Sequence, residues 1–448
     1  MGKQMTVKIA NASGFWGDNP DAPESMLENC TGLDYLTFDY LAEVTMTVLA
    51  RQQESDPSLG YARDFPRLLA DILPTALDDD VTIVANAGGL NPSACRDAIL
   101  DIAAEQGLSV RIGTVSNDDF RDDIDSFDDL RHMITDEPLP SDADVTAANA
   151  YFGAYPIASA LDDGADVVVT GRVIDAATVM GPLIHEYGWE PADHDELARG
   201  MIAGHVIECG AQATGGNYMG DWRDVDFETI GFPVVAVEPD GVAEITKPDG
   251  TGGKVTRGTI AEQLLYEVGD PAAYTGPDVT ADFQHVELAN VGPDQVRMTG
   301  ITGKPPTDTY KASLHYKDGW RVRGARVYAS PNAGEKAQRA IEYMKHIPEK
   351  ADIEYHRMEA ERIGMNALHD GMAAMTNPEE VVASVSIETP TRQDAREFAS
   401  RTIALGLGGP PASAPLTPGR PKPRPVFRYH PVLVPKSEFD PETEVVSA

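Results

Sequence analysis

The sequence predicts an α/β fold: a mostly parallel sheet with helices on both faces over residues 1–225. A β-rich α+β domain follows over 226–408, and an extended proline-rich strap with an acidic tail closes the chain over 409–448. Two observations carry this reading. Three short apolar runs, Val7 to Ala12, Val81 to Ala85 and Ala165 to Thr170, each stop at a glycine-bearing loop that opens a helix-like stretch. Buried parallel strands read as such near-continuous apolar runs, and crossover helices return the chain to the same sheet edge. Beyond residue 226 the texture changes to short strands punctuated by turn residues, as in FPVVAVEPDG, VAEITKPDGTGG and QVRMTGITG.

The elements follow in order. After the first run, DAPESMLEN reads as a short helix, and LDYLTFDY as a second strand running into LAEVTMTVLARQQ. A helix over 65–78 leads to the strand VTIVANA, a helix from Asn91 and the strand SVRIGTV. Asn91 can cap that helix, with Pro92 at its first position. YFGAYPIASALDDG is helical, ADVVVTG a strand and VIDAATVMGPLIHEYG helical again. In the second half GTIAEQLLYEVG is an isolated helix among strands, EKAQRAIEYMKHI and RQDAREFASRTIAL are helices, and EEVVASVSIE is a strand. GGPPASAPLTPGRPKPRP has too much proline for helix, and the acidic end after Phe439 is expected to be disordered.

Composition narrows the function. The chain has 448 residues with 36 basic against 72 acidic, a net charge of −36. Such a surface repels nucleic acid and anionic membranes, which excludes both as partners. Runs such as DDFRDDIDSFDDL read as solvated faces. With 12 lysines in the whole chain, this acidity reads as adaptation to a salt-rich interior, where a Debye length of about 3 Å at 1 M screens the repulsion. No apolar run approaches the roughly 20 residues that span a bilayer. The start MGKQMTVKIA lacks the pattern of a signal peptide. Three well-separated cysteines, Cys30, Cys95 and Cys209, give neither a disulfide framework nor a metal knuckle, so a reduced cytoplasmic setting is expected.

The three loops carry the chemistry, because ligands of parallel sheets sit outside the carboxyl ends of the strands. In SGFWGD, Ala12, Gly14 and Gly17 fall one residue short of the dinucleotide fingerprint, with Asp39 near the distance of a ribose acid. Trp16 and the acids Asp18, Asp21 and Glu24 would repel a pyrophosphate there, so no redox cofactor is expected. Ser13, Gly14 and Gly17 remain candidate substrate contacts, and Asp18 is either an acid/base or a helix cap. NAGGLNP carries no acid, so Gly88 and Gly89, flanked by Asn86 and Asn91 and with Arg96 one turn on, read either as an anion cradle or as a tight turn. Arg172 and Asp175 read either as an anion-binding pair in the same crevice or as a structural ion pair.

Further on, HVIECGAQATGG puts His205 and Glu208 on one helical face, as a general base with its orienting acid or as a buried bonded histidine. Without a second histidine or a CxxC, no metal site is expected. Glu43 is a further candidate acid/base. Cys209 has no activating neighbour visible in the sequence, and His185 reads as structural. KPDGTGGK fails the P-loop pattern at Pro248 and Val255, and reads as a mobile hairpin whose Lys247 and Lys254 are candidate anion contacts.

Taken together, SGFWGD, LDYLTFDYLAEVTM, NAGGLNP, TGRVIDAA, PLIHEYGW, AGHVIECGAQATGG, ITKPDGTGG, EQLLYEVGDP, GKPPTDTYKAS, GRPKPRP and LVPKSEF resemble the acyclic terpene utilisation (AtuA-like) family, over about residues 6–437. The resemblance implies a component of pathways that degrade citronellol, geraniol and related branched acids as coenzyme A thioesters. It brings no catalytic residue with it. The expectation from residues and resemblance together is a lyase or hydratase acting on a carboxylate or acyl-CoA, with the coenzyme A moiety entering as part of the substrate. The alternative is a binding subunit without chemistry. A homo-oligomer or a pathway complex fits either.

Overall fold

The computed structural model describes residues 6–127, 129–365, 367 and 378–447. The chain forms two compact units. One comprises Met1–Leu139, Thr146–Leu314 and His430–Ala448, the other Pro140–Val145 and His315–Tyr429.

Beside a small sheet of Tyr274–Thr275, Thr280–Asp282 and Thr302–Lys304, the first unit is built on a ten-stranded one. Its strands are β1 (Val7–Asn11), β2 (Tyr35–Phe38), β3 (Thr82–Ala85), β4 (Arg111–Ser116), β6 (Val167–Thr170), β7 (Val234–Val237) and β8 (Ala243–Thr246), with β5 (Asp144–Ala150) outside it. The order is Glu287–Gly292, Gln295–Thr299, β8, β7, β1, β2, β3, β6, β4, Glu442–Ser447. Only the central block β1-β2-β3-β6-β4 is parallel. All other neighbours pair antiparallel. The fold is thus mixed α/β, and the expected mostly parallel sheet is corrected to a mixed one. The reason lies after residue 225, where the short turn-punctuated strands dock on the free edge of β1 and extend the same sheet. The opposite edge is closed by the acidic tail. Its residues Glu442–Ser447 pair with β4, so the expected disorder there is also corrected. Thr443, Val445 and Val446 outweigh the charges of Glu442 and Glu444, because an open edge offers a full ladder of hydrogen bonds.

Helices cover both faces. On one, α1 (Ala22–Asn29), α3 (Phe65–Asp78) and α4 (Pro92–Gln106) share a core with Ala10, Leu36, Phe38, Ile83, Ala85, Val167 and Val169. In α3 the buried residues Phe65, Leu69, Ile72, Leu73 and Ala76 recur at helical spacing, each contributing about 1.5–3 kcal/mol for a large side chain. The α4 start forms as its sequence suggests, with the Asn91 side chain accepting from Ala94 N at 3.2 Å and Pro92 following. Between β2 and α3, α2 (Glu43–Ser55) is helical where the sequence left its character open.

On the other face, α5 (Tyr155–Asp162), α6 (Ala177–Tyr187) and α7 (His194–Glu208) pack together against the strands. From Gly200 to Glu208 every residue of α7 is buried, because sheet strands, α6 and α8 (Arg257–Leu265) surround it. A helix buried on all sides ends where it must, and α7 ends at the carboxyl edge of the parallel block.

In the second unit the long strand Thr309–Ala329 pairs antiparallel with Glu380–Thr389, which pairs with Arg357–Ile363. Helices Ala333–Lys345 and Arg392–Thr402 close a core of Val322, Tyr328, Ile341, Met344, Val385, Ile387 and Phe398.

Candidate functional site

A cavity of about 680 Å³ opens at the carboxyl edge of the parallel strands in the first unit. The β1 loop gives it Gly14, Phe15 and Asp18; the β2 loop gives Asp39, Leu41, Ala42 and Glu43; the β6 loop gives Arg172 and Asp175. Glu208 and Cys209, at the end of α7, form its floor, with Tyr151, Tyr266, Glu267 and Lys311 on the walls. Six carboxyl groups thus face two cations. Of the three loops singled out in the sequence, those after β1 and β6 meet here. The loop after β3 does not line the cavity.

The floor is held from beneath. Asn11, the last residue of β1, donates its side-chain amide to the carbonyls of Ile207 and Glu208 at 2.7 and 2.6 Å. Thr37 Oγ1 meets Asn11 Oδ1 at 3.3 Å from the neighbouring strand. Gly14 must be glycine, because a β-carbon there would lie 2.5 Å from the Cys209 carbonyl carbon, which is backbone and cannot step aside.

Glu208 is 6% exposed and accepts a hydrogen bond from His205 Nδ1 at 3.0 Å. Burial pushes its carboxyl up to about 7 against the attraction of His205. His205 is itself raised, because Glu208 outweighs the burial that opposes its charge. The backbone of Leu264 favours the charged ring as well. Of the pair only Glu208 lines the cavity; His205 stands behind it.

Asp39 is also buried, and desolvation, with Asp175 and Glu208 nearby, raises it well above the ordinary carboxylate range. Its orientation is fixed. Asn86 Oδ1 takes the amide proton of Tyr40 at 2.6 Å, so Asn86 Nδ2 must face Asp39 Oδ1, at 2.5 Å. Asn86 thus acts through Asp39, as it does not itself line the cavity.

Arg172 is 3% exposed, an unusual place for a guanidinium. Burial opposes its charge, but Tyr151, Asp175 and Asp39 hold it protonated. It lies 4.1 Å from the Tyr151 ring centroid, bonds Asp175 at 2.9 Å and donates to the Leu41 carbonyl. Its Nε is buried without a partner among the described residues. The Arg172–Asp175 ion pair is therefore real.

The other candidates sort by their bonds. Asp18 Oδ2 accepts from Gly14 N at 2.9 Å, so that glycine amide is not free. Glu43 is the exposed first residue of α2 and stands at the rim. Ser13 is buried with its hydroxyl on the Phe15 carbonyl at 2.9 Å, and Gly17 serves the turn with φ +92. Of the two readings of Gly88 and Gly89 the structure favours the tight turn: Gly88 N donates to Thr170 O at 3.0 Å, both residues are buried, and Asn91 caps α4. Arg96 bonds Asp97 and Glu444. Lys247 does not reach the cavity either, since its Nζ bonds the Thr251 carbonyl at 2.7 Å and lies 3.5 Å from Asp294. Lys254 likewise lies off the cavity lining. Lys247 is thus satisfied within its own loop, by the Thr251 carbonyl.

Sequence reasoning passed over Asn11 and Asp118. Asp118 Oδ2 accepts from Arg172 N at 2.9 Å and Asn149 Nδ2 at 2.8 Å, so it sets the β6 loop. Burial lifts Asp118 to about 7. Gly171 is glycine because a β-carbon would fall 2.1 Å from Asp118 Oδ1. Cys209, although at the floor, is pushed up by burial and by Glu208, which removes it as a ready nucleophile.

No group of three or more His, Cys, Asp or Glu is arranged to hold a metal among the described residues. No helix among them is long and apolar enough to cross a membrane. No curated protein and no solved structure matches the chain. One family model does, that of the acyclic terpene utilisation family protein AtuA, over residues 7–445. With nearly its whole length covered, the chain belongs to the acyclic terpene utilisation (AtuA) family.

Proposed function

We propose that this protein is an enzyme of acyclic terpene or branched-acid breakdown, acting on a carboxylate or an acyl-CoA thioester by proton transfer with addition or loss of water. One observation carries the reading. Glu208 stands in the cavity floor with its carboxyl near 7, where a group both takes and gives a proton at neutral pH. In the dehydrating direction Glu208 takes the proton from the carbon beside the carbonyl. Asp39, which holds its proton, gives it to the departing hydroxyl, and water leaves. Arg172 and Lys311, the two cations of the cavity lining, stabilise the carbonyl oxygen as charge develops there. Hydration runs the same steps backwards. No redox cofactor is needed, and the setting we propose is the cytoplasm of a salt-adapted cell.

The volume suits this guest. Cavities of about 300–1,000 Å³ hold drug-sized ligands, so a branched acyl chain fits with room for part of its carrier. The test is to incubate the protein in molar KCl with branched and linear enoyl-CoAs, hydroxyacyl-CoAs and their free acids, and to follow masses. A gain or loss of one water, abolished in Glu208→Gln, supports the proposal. A panel left unchanged by the native protein contradicts it.

A second reading, a binding subunit without chemistry, is favoured by the amide inventory. Gly14 N and Gly88 N are both consumed inside the fold, which removes the backbone donors most acyl-transfer sites use. Saturable binding of an acyl-CoA without product, alone and with cell extract added, is its signature.

A further inference from the structure

The second unit carries a cavity of its own, of about 580 Å³, and its charge is opposite to that of the chain. Arg321, Arg323, Arg326, Lys422 and Arg424 line it, and no carboxylate does. In a protein with 72 acidic residues against 36 basic, five cations around one hollow is an outlying arrangement. Like charges held together repel, and abundant surface acid was at hand to neutralise them.

Part of the cluster is neutralised from the side. Arg321 bonds Glu388, with Nε at 2.9 Å, and Glu388 also accepts from Arg428 at 2.6 Å. Arg323 lies 3.7 Å from Glu361. Arg326, Lys422 and Arg424 have no carboxylate partner among the described residues. Arg326 is not loose, however. Its Nε and Nη2 lie 3.4 and 3.2 Å from Ser413 Oγ, which aims the fork from the strand Thr309–Ala329. Beneath the cations the wall is apolar, with Met344 and Leu405 buried and Leu416 half-exposed.

We propose that this cavity binds a small phosphate-bearing anion. The phosphate sits among Arg326, Lys422 and Arg424, and any ring or chain attached to it packs on Met344 and Leu405. Guanidinium forks match phosphate oxygens in pairs, a geometry that survives where salt screens long-range attraction. The inference is independent of the chemistry proposed for the first unit.

The experiment is calorimetric titration of the full-length protein with ADP, inorganic pyrophosphate and citrate, at low and at molar KCl. Saturable binding of pyrophosphate or ADP in preference to citrate is expected, at least tenfold weaker in Lys422→Ala and in Arg326→Ala. Lys422 is exposed, so its variant keeps the test valid where Arg326→Ala disturbs Ser413. ADP binding tighter than pyrophosphate assigns the apolar wall to a nucleoside; equal binding assigns recognition to phosphate alone. No binding of either, citrate binding equally well, or variants that bind as the native protein does would each overturn the proposal.

Discussion

Asn11 on β1 and Glu208 at the end of α7 are joined by a 2.6 Å hydrogen bond from the Asn11 side chain to the Glu208 carbonyl. Through it the central strand of the sheet fixes where the floor carboxyl stands. Asn11→Ala leaves two buried carbonyls without this donor, and we expect a loss of about 1–3 kcal/mol in stability. Urea denaturation in molar KCl measures it. Unchanged stability would mean that the α7 terminus is held by packing alone.

Gly14→Ala tests the close approach beside the same carboxyl. Its new methyl must displace the Cys209 backbone, so an overpacking loss of about 1–3 kcal/mol is expected, together with weaker binding of any ligand at Glu208. Both are read from denaturation midpoints with and without ligand. A variant of native stability would show the contact to be relaxed at no cost.

The buried acids set a pH dependence. Asp118 is raised from 3.8 to about 7 and Asp278 from 3.8 to about 6, burial being the first cause in each. In the folded protein each keeps a proton that the unfolded chain has released, so the folded state binds more protons across this window. Stability is therefore predicted to fall as pH rises from about 4 to about 7 and to level beyond it. Asp118→Asn, which imitates the protonated acid, should flatten the slope without removing it, because Asp278 still titrates. Melting temperatures across that range check both; equal slopes in the two proteins would remove Asp118 from the account.

The net charge of −36 makes a separate prediction. Melting temperature should climb with KCl from millimolar to molar, as screening shortens the Debye length from about 30 Å at 0.01 M to about 3 Å at 1 M. A flat response would speak against self-repulsion as a determinant of stability.

How much of this was legible in the sequence follows from the range of the interactions involved. The strands at Val7, Val81 and Val167, the α3 stripe and the Asn91–Pro92 helix start depend on residues within a turn or two of each other, and they are where the pattern put them. Arg172 and Asp175 were found because they follow a strand end, and Glu208 because it shares a helical face with His205. The sheet's antiparallel flanks were missed, because edge pairing of Glu442–Ser447 with β4 joins residues more than 300 positions apart. The fate of the glycine amides was equally hidden. Whether Gly88 N is free or bonded to Thr170 depends on which strand lies next to β3, and local spacing does not encode that. Asn11 carried no signal other than a polar residue at the end of an apolar run, which in a buried strand is itself a pointer worth following.

The account turns on Glu208 holding its proton near neutrality in the cavity floor. Infrared difference spectra between about pH 6 and pH 8 measure this directly, through the loss of a protonated-carboxyl band as the group ionises. The native protein should show one such band titrating near 7 that Glu208→Gln lacks, beside that of Asp118, which both proteins keep. A spectrum in which the variant keeps every band that titrates in this range would contradict the assignment of Glu208 and, with it, the proposed proton transfer.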